Sequence, residues 1–151
     1  MILALLLVDL VALNPVGWPL PTADARTPDI ALELQDLSPG PVLVVPSFGP
    51  GVHPQRALFA LLPSQRGLLV SPNRPGLPPE LARTPAGSWL GSLAFPEQRA
   101  APSDLSLPGV SVLLVLEPHV AAVEAVFGPP DRSGRDGAAW DLGRPTRDAG
   151  G

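Results

Sequence analysis

Val110-Ser111-Val112-Leu113-Leu114-Val115-Leu116 decides the fold of this chain. After Ser111 the run is apolar without interruption, and a strand that reads this way has both faces covered. Glu117-Pro118 closes it. Pro118 predicts the start of a helix. Val120, Val123 and Phe127 follow at spacings of three and four, and Gly128-Pro129-Pro130 stops the helix.

The same order of signals stands earlier in the chain. Pro41-Val42-Leu43-Val44-Val45-Pro46 reads as a second buried strand, 47–52 as its turn, and Pro54 as the first position of a helix running to Leu62. A strand, a helix and another strand in one sheet give parallel strands with a right-handed crossover. Residues 66–71 predict a shorter strand. Residues 138–142 predict a final edge strand after a polar turn at 131–137. Short helices are expected at 29–37, with Ile30, Leu34 and Leu37 on one face, and at 87–95, bringing Trp89, Leu90, Leu93 and Phe95 to the core. Residues 78–83 predict one or two helical turns, and 96–108 a loop. The expected architecture is α/β: a small, mainly parallel sheet of three or four strands with flanking helices, spanning 29–142. Residues 143–151 are Gly/Arg/Asp-rich and predict a disordered tail.

Before this domain stand an apolar segment, residues 1–13, and a Pro-rich linker, residues 14–28. Only Asp9 interrupts the apolar run, and no basic residue precedes Arg26. Thirteen helical residues reach roughly 20 Å, short of the ~30 Å hydrocarbon core. Three placements fit. The run reads as the last turns of a membrane helix whose beginning is missing, with Trp18 at the interface. It also fits a signal peptide cleaved near Ala23-Asp24-Ala25, or a buried helix of a soluble domain, since no polar face is present. Asp9 counts against the membrane placement unless it faces protein or neutralises.

Composition bounds the function. The 151 residues are 45% hydrophobic, with 22 Pro and 15 Gly, so many short elements joined by stiff loops are expected. All ten basic residues are Arg, and the bias against AT-rich codons reads as a GC-rich bacterial genome. A net charge of −4 and the lack of a basic stripe speak against nucleic-acid binding. With no Cys, disulfides, thiol catalysis and Cys-based zinc sites are excluded.

The candidate site is the loop after the earlier strand. Ser47, His53, Gln55 and Arg56 are its polar groups, at the strand's carboxyl end and a helix start, where α/β sheets take ligands. Pro50 and Pro54 remove two amides that would otherwise hold a phosphate, so a tight turn with a capping His is the alternative. His119 reads as a capping or surface residue. The two histidines show no metal-ligand spacing, so no metal and no cofactor is expected. Asp104 and Asp141 are a carboxylate pair only if the fold joins them. Ser47, Ser64 and Ser88 lack a nucleophile-elbow context, and Trp89 and Trp140 read as packing residues.

Several of these stretches together resemble one group of bacterial proteins. They are Leu6-Leu7-Val8-Asp9 and the Pro-rich exit, Gly40 to Pro46, Gly109 to Val115, Phe127-Gly128-Pro129-Pro130, and Ala139-Trp140-Asp141-Leu142. The chain is similar to the C-terminal part of polytopic membrane proteins of the glycosyltransferase type, which use a lipid-linked sugar donor. The resemblance implies a small α/β region outside the cytoplasm, following the last transmembrane helix. It departs from the family pattern in two places. Val44-Val45-Pro46 carries no acidic residue, and the stretch 61–68 has no His. The family's catalytic acidic residues lie in a membrane half that this chain does not contain. The resemblance therefore implies a non-catalytic extracytoplasmic domain or fragment, structural or glycan-recognising. It would be held at the bacterial inner membrane through 1–13, with the transmembrane half as partner. The alternative is a free-standing secreted, periplasmic or soluble α/β binding module without enzymatic activity.

Overall fold

The computed structural model describes residues 29–47, 67, 69, 76–97 and 99–144. A 3-10 helix (Asp29–Asp36) leads into strand β1 (Val42–Val45). Helices α1 (Pro79–Ala82) and α2 (Pro85–Ser92) follow, then strand β2 (Val112–Leu116) and helix α3 (Val120–Phe127). A hairpin of β3 (Arg132–Gly134) and β4 (Gly137–Asp141) completes the domain.

The four strands form one sheet in the order β1-β2-β4-β3. β1 and β2 are parallel, with Val42 opposite Val112 and Val45 opposite Val115. β4 runs antiparallel to both β2 and β3. The sheet is therefore mixed, not mainly parallel. The reason is local: 131–137 is not only a polar turn, because Arg132–Gly134 is itself a strand. Arg135 and Asp136 fold it back so that Gly137 pairs with Gly134. The stretch expected at the edge accordingly lies inside the sheet, and the polar β3 takes the edge. β1 has a backbone neighbour on its other side. Val42 donates to the Gly67 carbonyl (2.9 Å) and accepts from the Leu69 amide (3.1 Å), the pattern a parallel neighbour makes. The helix expected at 54–62, the N-terminal segment and linker, and residues 145–151 lie outside the described residues.

Why β1 and β2 are apolar at every position is explained by what covers them. Leu43, Val45, Leu113, Val115, Ala138 and Trp140 point to one face, where Leu81, Ala86, Trp89, Leu90, Leu93 and Val123 meet them. Val42, Val44, Val112, Leu114, Leu116 and Ala139 point to the other, under Ile30 and Leu34 of the 3-10 helix and Leu37 just after it. Alternating side chains of each strand thus enter separate cores.

The connections are made by short-range chemistry. The Thr84 hydroxyl donates to the Leu81 carbonyl (2.9 Å) and accepts from the Gly87 amide (3.0 Å). One side chain ends α1 and caps α2, and Pro85 occupies the first position of α2. A Cβ on Gly87 would lie 2.0 Å from the Leu81 oxygen, so only glycine permits this approach of the two helices. α3 begins at Val120, two residues beyond Pro118, which is joined to Glu117 by a cis bond, as Pro46 is to Val45. It ends at Gly128, with φ of 80°, whose carbonyl accepts from Trp140 Nε1 at 2.8 Å. α2 ends at Ser92, earlier than the sequence pattern implies. Phe95 consequently turns outward and is 36% exposed, while Trp89, Leu90 and Leu93 are buried. Trp89 stacks on Phe127 with ring centroids 6.3 Å apart.

Truncating Leu113, fully buried between β1 and β4, should destabilise the fold by about 3 kcal/mol as Leu113→Ala. Leu105→Ala, at a position 37% exposed, should stay within about 0.5 kcal/mol. Urea unfolding followed by tryptophan fluorescence measures both.

Candidate functional site

Ser47 is the one residue of the sequence-derived site that the structure describes. It is buried, one residue past the Val45–Pro46 cis bond, in a narrow crevice with Leu77, Leu90 and Gly91. His53, Gln55 and Arg56 lie outside the described residues.

Leu77 and Gly91 also belong to a larger groove of about 600 Å³. Its floor is the small-residue face of α2, Gly87, Ser88, Gly91 and Ser92. Phe95, Pro96, Glu97 and Arg99 form the far wall. Two serines one helical turn apart hold that wall in place. Ser92 Oγ donates to the Trp89 carbonyl (2.7 Å) and accepts from the Arg99 amide (3.1 Å). Ser88 Oγ receives the Arg99 guanidinium. The loop after α2 is thus fastened back onto the helix by both the backbone and the side chain of Arg99. The groove therefore presents guanidinium donors, the Glu97 carboxylate, a hydroxyl and an apolar ring. Sequence reasoning places 96–108 as loop and misses it. The available signal is the spacing of Gly87, Ser88, Gly91 and Ser92, which puts small residues together on one face of α2.

The other singled-out residues have structural partners. His119 opens α3 through its backbone, donating to Leu116 and accepting from Val123 (both 3.2 Å). Asp104 accepts from the Ser106 amide at 2.9 Å in an exposed turn. Asp141 stands at the end of β4, where its carboxylate accepts from the Ser38 amide (2.9 Å) and the Gly143 amide (3.2 Å) and pairs with Arg144 Nε (2.9 Å). Arg144 also donates to the Asp36 carbonyl (3.3 Å). Asp104 and Asp141 are therefore engaged in separate local networks. Asp141 is a clamp that joins the C-terminal end of β4 to the loop before β1. Among the described residues no group of three or more His, Asp or Glu gathers as metal ligands.

Burial of the Asp141 carboxyl raises its pKa, but the Ser38 hydroxyl and amide, Arg144 and the Gly143 amide together outweigh it and hold the group below its ordinary value. A lowered native pKa gives stability that is complete above the unfolded value of about 3.9 and is lost as pH falls through the native one. Asp141→Asn should therefore destabilise the protein at pH 7 by about 1–3 kcal/mol, most of it from the amide hydrogen bonds, because the Arg144 partner is half exposed. The gap between wild type and variant should narrow as the pH is lowered below about 4. Denaturant melts at a series of pH values check this.

Compared with known proteins, the chain matches no family model, no curated protein and no solved structure.

Proposed function

We propose that the chain is a non-catalytic, glycan-recognising extracytoplasmic module of a membrane glycosyltransferase-like protein. It is anchored at the bacterial inner membrane by residues 1–13, spaced from the bilayer by 14–28, and works beside the transmembrane half of that protein. The observation that carries the recognition role is the groove on α2. It combines the Phe95 ring, the Ser88 hydroxyl, Glu97 and Arg99 in one concavity of about 600 Å³, within the range of small-molecule sites.

The membrane placement rests on the sequence of the N-terminal segment and on the resemblance to membrane glycosyltransferases. No helix among the described residues is long and apolar enough to cross a membrane. On this reading the chain expressed in a bacterial host stays in the membrane pellet after a carbonate wash and keeps Met1. Its folded part is then cleaved by protease added to spheroplasts. Recovery in the soluble fraction with an intact N-terminus would overturn the anchor. A mature N-terminus near Arg26 would replace it with the secreted module.

A further inference from the structure

We propose that the α2 groove takes a single neutral sugar ring, with Ser88, Glu97 and Arg99 reading its hydroxyls and Phe95 and Leu77 covering its C–H face. This rests on the proposed recognition role and names its ligand class. Four observations converge on it.

The first is position. Leu77 and Gly91 line both the groove and the crevice at Ser47, so the groove adjoins the carboxyl end of β1. That edge is where open α/β sheets bind ligands. The second is size. About 600 Å³ accommodates one ring with some of its solvent, and is small for a long polymer chain.

The third is the pairing of chemistries. A sugar hydroxyl both donates and accepts. Arg99 supplies donors only, Glu97 acceptors only, and Ser88 either. A ring of hydroxyls matches that set without leaving any of the groups unpaired. An anionic ligand would gain Arg99 but face Glu97, on a chain whose net charge is −4. A flat aromatic ligand would leave Glu97 and Ser88 with little to bond. The fourth is preorganisation. Ser92 fixes the Arg99 backbone, so the residue that carries the donor fork is held at the groove before any ligand arrives.

Gly91 gives a clean handle. A Cβ built there meets only Leu77 Cδ1, at an ordinary 3.5 Å. Gly91 lines the groove and the crevice beside it, so a larger side chain at this position takes up space there. The experiment is saturation-transfer-difference NMR on the full chain with glucose, galactose and mannose, and with glucuronate and inorganic phosphate as anionic probes. At least one neutral hexose should bind. Gly91→Leu and Arg99→Gln should each weaken it by about tenfold or more, with Leu105→Ala unchanged. Thermal melting accompanies each variant, and Arg99→Gln, an exposed substitution, decides the matter if Gly91→Leu fails to fold. Binding of no neutral hexose, binding indifferent to both groove variants, or preference for glucuronate or phosphate would overturn the proposal. A chain that prefers glucuronate at the groove defeats only this inference and keeps the glycan-recognising role, whereas one that binds no sugar at all defeats both and leaves the membrane anchor standing. A soluble chain that binds sugar at the groove defeats only the anchor.

Discussion

The parallel pairing of β1 with β2, buried on both faces, is the constraint on which the structure depends. Every residue of the two strands is at most 1% exposed. Burying one such Val or Leu contributes about 1.5–3 kcal/mol, so these two strands supply much of the hydrophobic driving force. Their backbone groups must then find partners inside the protein. β4 provides them on one side of the pair, and Gly67 with Leu69 provide some on the other. Each face needs its own cover. The three α-helices lie on one, and the 3-10 helical segment Asp29–Asp36 lies on the other.

That arrangement explains the placement of the polar groups. Asp141 accepts hydrogen bonds from Ser38, 103 residues away in the chain, so that the piece covering the second face is tied to the end of β4. Trp140 does the same between β4 and the end of α3. The groove arises where the cover is thinnest. α2 turns Trp89 and Leu90 inward, Gly87 and Ser92 are buried against α1 and the following loop, and Ser88 and Gly91 are left part-exposed beside that loop.

The elements that can be read from the sequence are those whose signal is dense. Val112 to Leu116 and Val42 to Val45 stand out as unbroken apolar runs between turn residues, and Gly128 marks the end of its helix. Ile30, Leu34 and Leu37 share a buried face as their spacing implies. The mixed sheet is hidden because β3 is Arg132-Ser133-Gly134, a polar edge that looks like the turn beside it. Phe95 is misplaced because hydrophobicity does not reveal where α2 stops. The Asp141 clamp joins residues distant in sequence, and no local pattern announces such a bond. Of the candidate site, only Ser47 falls among the described residues. The groove beside it is lined by small, charged and apolar residues of α2 and of the loops on either side of it, and no apolar pattern announces such a lining.

Native-state hydrogen exchange tests the central claim most directly. If the doubly covered β1–β2 pair holds the domain together, the amides of Val42 to Val45 and Val112 to Leu116 exchange only through global unfolding. They then share one opening free energy, well above that of residues 99–107. Rapid exchange in β1 while β2 and β4 stay protected would show that the sheet stands without this pairing, and would contradict the account.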